Sequence, residues 1–257
     1  MAELHRAGIF PAQIAGASSG ALTAVLCGAG LKGGALESFI FQPGVRRSLL
    51  DWGWPLRFPG VFSHTFGTGV LSGDNIVRYL RKKLGSFRLE DMTSPRVQLA
   101  VTNLTGKTLD IVSSGDAFDY AVASSAVPGL FRARRIDGQL YCDGGTVDVS
   151  PFEHWLDAPD VDTIVIHEII HEPDSCPRAP GGGMNITLAA ARCHEIMSDK
   201  LLSYRLRLAH SSGKRVIHLR TTAPHPGLFP RRARFILQER GRESALRLCD
   251  QLRGVAK

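Results

Sequence analysis

The sequence predicts an α/β fold: a mixed, mostly parallel sheet flanked by helices. Strand patterns alternate with helix patterns along the chain, as expected when helices cover a sheet. Thr163 to Ile170 is a nearly continuous β-branched run, typical of a strand buried on both faces of a parallel sheet. No internal repeat and no clear linker interrupts this order. We therefore expect a single domain over residues 1–257.

Composition agrees with a globular protein. The 257 residues are 44% hydrophobic and 21% charged, which excludes disorder. The formal net charge of +7 favours attraction to anionic surfaces, either lipid headgroups or nucleic acid. The five cysteines form no C-x-x-C pair, and their odd number indicates reduced thiols of a cytoplasmic protein rather than a disulfide framework.

The first elements lie in a stretch without charge. No charged residue occurs between Ala7 and Leu31, so a targeting segment or a membrane span is one interpretation. Polar residues and five glycines break this stretch, which favours a second interpretation: a buried strand at 13–17 followed directly by a buried helix at 21–26.

The segment 45–73 is rich in aromatic residues and arginine and fits no regular period. We predict that it is a long loop or a cap, which docks on a membrane, lines an acyl pocket or packs on the core. The aromatic residues and the arginines interleaved with them are Trp52, Trp54, Phe58, Phe62, Phe66, Arg46, Arg47 and Arg57. An amphipathic helix is predicted next, at 74–84.

The remaining elements follow from turn signals and periodicity. Two hairpins are predicted, one around Thr105-Gly106-Lys107 and one around Asp137-Gly138, which is a strong two-residue turn. A helix at 116–126 lies between them. After the β-branched strand we predict a helix at 187–209, a strand at 215–219 and a basic closing helix at 232–252.

The segment Gly16-Ala17-Ser18-Ser19-Gly20 matches the pattern G-x-S-x-G between a predicted strand and a predicted helix. The serine of this pattern stands on a tight, strained turn, so we expect backbone to crowd the residues two before and two after it, which favours glycine at both. The helix N-terminus and the Ser19 amide would face an oxyanion. The pattern indicates either a nucleophile or a structural strand-to-helix turn.

A serine nucleophile needs a base, and Asp143 is in a suitable place. Asp143-Gly144-Gly145 directly follows the predicted strand at 139–142. The carboxylate would therefore stand at a strand end, where the two glycines let the backbone turn away. A simple Asp-Gly-Gly turn is the alternative.

Three blocks together resemble the patatin-like phospholipases. They are Leu4 to Gly20, Ala123-Ser124-Ser125-Ala126-Val127-Pro128 and Asp143-Gly144-Gly145-Thr146-Val147-Asp148. The resemblance covers residues 1–170 and implies a patatin-like fold, similar to a modified α/β-hydrolase fold. It implies hydrolysis of lipid acyl esters by a Ser-Asp dyad without histidine, metal or cofactor. Ser18 would be the nucleophile and Asp143 the general base.

The resemblance has a gap at its start. In the family, a strand and a glycine-rich loop precede the G-x-S-x-G turn and supply oxyanion donors. Here Met1 to Leu4 resembles the end of the helix that follows that loop in the family. We therefore expect a domain truncated at its N-terminus relative to the family. The donors are then encoded upstream, supplied by a partner or by another segment such as Gly181-Gly182-Gly183, or lost. Loss would leave a non-catalytic or weakly active lipid-binding relative.

Other patterns define rival functions. His167-Glu168-Ile169-Ile170-His171 matches the zinc pattern H-E-x-x-H, but the β-branched context predicts a strand, on which the two histidines lie about 13 Å apart and share no metal. A Ser-His-Asp triad would need a histidine beyond Asp143, starting with His154, and none stands in a recognisable setting.

The expected partners are lipids. The arginine-rich closing helix lacks an aromatic stacking platform and is interpreted as a solvated face, so we expect no nucleic acid. We expect a lipid or acyl-ester substrate, no metal or cofactor, and a cytoplasmic protein with peripheral membrane contact.

Overall fold

The computed structural model describes residues 1–63, 67–171, 186–224 and 233–254, and its mixed sheet with flanking helices confirms the predicted α/β class. In these ranges the helices are α1 (Ala2–Arg6), α2 (Ser19–Gly28), α3 (Gly33–Ile40), α4 (Pro43–Ser48), α5 (Trp54–Phe62), α6 (Asp74–Leu84), α7 (Ala117–Ser124), α8 (Ile186–Ser211) and α9 (Ala233–Leu252). The strands are β1 (Gln13–Gly16), β2 (Gly69–Leu71), β3 (Arg96–Asn103), β4 (Thr108–Val112), β5 (Gly129–Phe131), β6 (Arg134–Ile136), β7 (Gln139–Asp143), β8 (Thr163–His171) and β9 (Arg215–Ala223).

The chain forms two compact units. The first, called the serine unit, consists of Ala2 and Phe10–Pro151. The second, called the terminal unit, consists of Met1, Glu3–Ile9 and Phe152–Lys257.

Strand β3 organises the sheet of the serine unit. One of its edges pairs antiparallel with β4; the other is shared between β1, which runs parallel to it, and β7, which runs antiparallel. Gly16 at the end of β1 lies opposite Leu99, and Asp143 at the end of β7 lies opposite Val101. The carboxyl ends of β1 and β7 therefore meet on one edge of β3, two residues or about 7 Å apart.

Two helices pack on this strand and on each other. Helix α2 is rich in small residues, and its Ala21 and Ala24 are fully buried. Helix α7 starts at the N-cap Asp116, whose carboxylate accepts from the amides of Phe118 and Asp119. Both helices contact β3. The stretch from Ala7 to Leu31 thus contains β1 and the buried helix α2, as the second interpretation of its missing charges predicted.

The predicted hairpins are confirmed. Strands β3 and β4 pair antiparallel around the first turn, and β6 and β7 pair antiparallel around Asp137-Gly138. Asp137 (φ 48°) and Gly138 (φ 80°) are both left-handed, as a type I′ turn requires. Ahead of β6, the short strand β5 pairs parallel with β2.

The prediction of a long loop is wrong for much of segment 45–73. This segment contains most of α4, all of α5 and all of β2. Pro55 stands in the first turn of α5, where proline is tolerated, and Pro59 stands inside the helix, where it is unusual. Because of these prolines, the sequence pattern of α5 does not show helical periodicity. The role of this segment as a cap stays a prediction.

In the terminal unit β8 and β9 pair parallel over nine residues. The H-E-x-x-H segment lies on β8, which confirms the predicted strand. Its predicted burial on both faces is wrong: Ile164 and Ile166 are buried among Leu202 and Ala209 of α8, whereas Ile169 is 52% exposed. Neither α8 nor any other helix in the described ranges is both long and apolar enough to span a membrane.

Candidate active site

Ser18 stands between β1 and α2 in a strained backbone conformation. Its φ of 52° and ψ of −121° lie outside the regions that L-residues ordinarily populate. Such strain persists only where surrounding structure holds it, and it is concentrated at functional sites. We call the segment from Gly16 to Gly20 the Ser18 turn.

The two glycines of the Ser18 turn are not equivalent. A Cβ atom on Gly16 would lie 2.4 Å from the carbonyl carbon of Gly20 and 2.7 Å from the amide nitrogen of Ala21. Gly16 is therefore required by a close approach of backbone, as predicted. A Cβ atom on Gly20 would meet nothing within 4 Å, so the prediction of crowding at that position is wrong.

Ser124 and Ser125, at the end of α7, hold the Ser18 turn in place. The Ser18 amide donates to the hydroxyl of Ser124 at 3.1 Å and to its carbonyl at 3.0 Å. The hydroxyl of Ser124 donates to the carbonyl of Ala100 on β3 at 2.7 Å, and that of Ser125 to the carbonyl of Ser18 at 3.0 Å. Sequence reasoning noted this block for its resemblance and missed its role, because nothing local connects it with Ser18.

Asp143 ends β7 and is buried, with only 4% of its surface exposed. Its Oδ1 accepts from the amide of Gly145 at 2.7 Å, and the side chain of Ser18 favours the ionised form of its carboxyl. Burial raises the pKa of Asp143 above its ordinary value, and the Ser18 side chain and the Gly145 amide oppose that rise only in part.

Gly144 and Gly145 let the chain turn close to β3. A Cβ atom on Gly144 would lie 2.1 Å from the carbonyl oxygen of Ala100, so only glycine fits there. The amide of Asp143 donates to the carbonyl of Ala126 at 3.1 Å, which ties this turn to the same block that holds Ser18. The Ser18 turn of the first sequence block and the other two blocks therefore converge at one place in the serine unit.

Beside Ser18 stands the amide of Ser19, the group that the sequence predicts as an oxyanion donor. It is the first amide of α2, a ten-residue helix, and has no hydrogen-bond acceptor among the described residues. Ser19 and Gly20 are exposed, so this N-terminus is open to a ligand. Gly181-Gly182-Gly183, the other predicted source of donors, lies outside the described residues.

In the described ranges, the rival patterns supply no histidine as a partner of Ser18 or Asp143. There the groups that act on the Asp143 carboxyl are the Ser18 side chain and the Gly145 amide, and no histidine is among them. His167 contacts the hydroxyl of Thr221 instead, at 2.9 Å. The arrangement thus joins a strained serine, a buried carboxylate and an open helix N-terminus, a set of groups suited to acyl transfer.

Comparison with known proteins shows the family of this chain. The family model described as "Patatin-like phospholipase" matches residues 1–155, and the chain belongs to this family. Membership supports lipid hydrolysis at the level of the family.

Three curated relatives are described as uncharacterized NTE family proteins, one from Mycobacterium bovis and two from strains of Mycobacterium tuberculosis. Each is 31% identical to this chain over 84 residues. The matched region covers 32% of this chain and 23% of each relative. They are similar to it in one region and carry no named substrate.

Proposed function

We propose that this protein hydrolyses carboxylic esters of lipids, as a phospholipase A, a lysophospholipase or a related esterase. Ser18 is the nucleophile and Asp143 the general base. The observation that carries the proposal is the convergence of the strained Ser18 turn and the buried Asp143 carboxylate on one edge of β3, where the Ser18 side chain favours the ionised form of Asp143. A hydroxyl is a weak nucleophile while it keeps its proton, and an adjacent base activates it by taking that proton.

In the first half-reaction Ser18 Oγ attacks the ester carbonyl while Asp143 takes the hydroxyl proton. The Ser19 amide and the N-terminus of α2 stabilise the oxyanion of the tetrahedral intermediate. The bond to the alcohol oxygen then breaks, and Asp143 returns its proton to that leaving group. The products of this step are an acyl-enzyme and a free alcohol, such as a lysophospholipid.

In the second half-reaction water replaces the alcohol. Asp143 takes a proton from water as its oxygen attacks the acyl-enzyme carbonyl, and the proton returns to Ser18 Oγ when the acyl bond breaks. The raised pKa of Asp143 supports this role, because a base acts best when its pKa lies near the working pH. The strain at Ser18 supports the view that the turn is a nucleophile elbow.

The location that fits this chemistry is the cytoplasm, in peripheral contact with a membrane. The described cysteines Cys27, Cys142, Cys193 and Cys249 are free thiols, which supports a reducing compartment. The fifth, Cys176, lies outside the described residues.

A serine-directed fluorophosphonate tests the proposal. We expect it to label Ser18, as identified by peptide mass spectrometry, and we expect Ser18→Ala to abolish labelling and ester hydrolysis. Asp143→Asn should lower kcat by roughly 10²- to 10⁴-fold, the usual contribution of a general base. Ser48→Ala is a matched control, since Ser48 is a buried serine that bonds the Val45 carbonyl in α4.

Labelling at another residue, or full activity of Asp143→Asn, would refute the dyad. Vesicle binding without labelling would instead favour a lipid-binding relative without catalysis.

A further inference from the structure

An exposed apolar patch projects from the serine unit around α5. Trp52 is fully exposed (100%), and Leu56 is 83% exposed. Leu50, Trp54 and Phe58 are each between 43% and 45% exposed. We call these five residues the apolar patch. Isolated apolar residues are common on protein surfaces, but five exposed ones within the nine residues from Leu50 to Phe58 are a concentration typical of an interaction site.

The patch is held on a fixed support. Arg57 turns inward from α5, where its Nε donates to the carbonyl of Val70 on β2 at 2.6 Å and its Nη2 pairs with Asp51. The Asp51 carboxylate also accepts from the amides of Gly53 at 3.0 Å and Ser72 at 2.7 Å. The two charged residues between 50 and 62 therefore bond inside the serine unit, while the apolar side chains face outward.

Basic helices flank the patch in sequence. Between residues 38 and 84 the chain has seven Lys or Arg and two Asp. Helix α6 contacts α4: the Tyr79 hydroxyl donates to Gln42 at 2.8 Å, and the Asn75 side chain donates to the carbonyl of Leu50 at 2.5 Å. The exposed basic residues of these two helices are Arg46, Arg47, Arg78, Lys82, Lys83 and Arg81, of which Arg81 pairs with Asp116 and Asp119. Apolar groups and cations are thus displayed together.

We propose that the apolar patch docks this protein onto the surface of an anionic lipid bilayer. Trp52 and Trp54 would lie at the headgroup level, where tryptophan is enriched, and the cations of α4 and α6 would contact anionic headgroups. A protein partner fits less well, because α5 has nine residues and a length of about 14 Å. A helix of this size offers far less surface than the roughly 800 Å² that a standard interface buries on each side. This inference rests on the proposed function, since it names the surface through which a lipid hydrolase reaches its substrate.

Vesicle co-sedimentation of the full chain tests the docking surface. The vesicles contain phosphatidylcholine, alone or mixed with phosphatidylglycerol. We expect the wild type to bind the mixed vesicles more strongly, and salt to weaken this preference. Trp52→Ala combined with Leu56→Ala should lower the partition coefficient tenfold or more, by roughly the transfer of two large apolar side chains.

Leu104→Ala is the matched control, since Leu104 is also exposed (42%) but lies between β3 and β4. It should bind vesicles like the wild type. Both variants should keep the melting temperature of the wild type. If the double variant binds vesicles as well as the wild type does, or if the wild type binds neither vesicle, the docking surface is wrong. A dimer of the wild type that the double variant loses would assign the patch to a second copy.

Hydrolysis of a water-soluble short-chain ester separates this inference from the proposed function. We expect the double variant to keep that activity while losing activity on vesicles. Vesicle binding through the patch by a protein that hydrolyses no ester would refute the proposed function alone. Soluble-ester hydrolysis with vesicle binding that does not depend on the patch would refute the docking surface alone.

Discussion

The backbone amide of Ser18 donates to the hydroxyl of Ser124 at 3.1 Å, although 106 residues separate them in sequence. The same hydroxyl donates to the Ala100 carbonyl at 2.7 Å, so Ser124 connects the Ser18 turn with the central strand β3. Ser124 is completely buried. Since the conformation of Ser18 is unfavourable by itself, bonds of this kind must hold it. Ser124 is therefore a positioning residue for the proposed nucleophile.

Replacing Ser124 by alanine should affect stability and catalysis together. Ser124→Ala should lower the free energy of unfolding by about 1–3 kcal/mol, because it removes two buried hydrogen bonds. We expect kcat on a soluble ester to fall more than KM rises, because a misplaced Ser18 Oγ weakens attack rather than binding. Urea unfolding and steady-state kinetics measure the two effects. Ser48→Ala should lose stability but keep kcat; an unchanged kcat in Ser124→Ala would contradict the positioning role.

The two glycines of the Ser18 turn should respond in opposite directions to alanine. Gly16→Ala forces a Cβ to within 2.4 Å of the Gly20 backbone and should destabilise the protein by about 3 kcal/mol or more. Gly20→Ala places its Cβ in open space at a helical position and should be neutral or stabilise by about 0.5–1 kcal/mol. Thermal unfolding of both variants measures the contrast. Equal losses of stability in the two variants would contradict this difference between the two glycines.

The pH dependence of hydrolysis should report the buried carboxyl. Asp143 must be ionised to act as a base, so kcat/KM on a soluble ester should rise with pH. Because burial raises the pKa of Asp143, the midpoint should lie above the ordinary carboxyl value of about 4. Adding an alcohol cosolvent should move this midpoint upward for a carboxyl and downward for an imidazole. A midpoint at the ordinary carboxyl value, or one that moves downward, would refute Asp143 as the base.

Local signals explain why the proposed pair was predictable. The pattern around Ser18 and the Asp137-Gly138 hairpin turn are short-range features, and each ends a strand at a defined residue. The pairing of both strands with the same edge of β3 depends on tertiary structure. In the sequence, only the resemblance of the three blocks to the family indicated it.

The missed features depend on contacts that sequence does not display. Ser124 and Ser125 act across more than 100 residues of chain, and no local pattern indicates their partners. The sequence predicted that crowded backbone requires glycine at both Gly16 and Gly20. In the structure the Cβ position of Gly16 faces the Gly20 backbone, whereas that of Gly20 faces open space. Helix α5 was missed because Pro55 and Pro59 interrupt its period.

Asp143→Asn should make the folded protein more stable at neutral pH while it removes activity. A carboxyl whose pKa is raised on folding binds its proton more tightly in the folded state, so stability is highest below the ordinary carboxyl pKa and falls as pH rises through the folded value. At pH 7 the wild type therefore holds a buried charge at a cost, and asparagine does not. Asparagine Oδ1 can still accept from the Gly145 amide, so the turn keeps its hydrogen bond.

Urea unfolding from pH 4 to pH 8 measures this difference. The advantage of Asp143→Asn should be present at pH 7 and should shrink toward pH 4, where the wild-type carboxyl takes up its proton. Asp137→Asn is the matched control: it makes the same chemical change at an exposed turn position that also accepts asparagine, and its stability should stay close to that of the wild type throughout. A loss of stability in Asp143→Asn at pH 7 would mean that the Asp143 charge stabilises the fold, and that its burial does not raise its pKa.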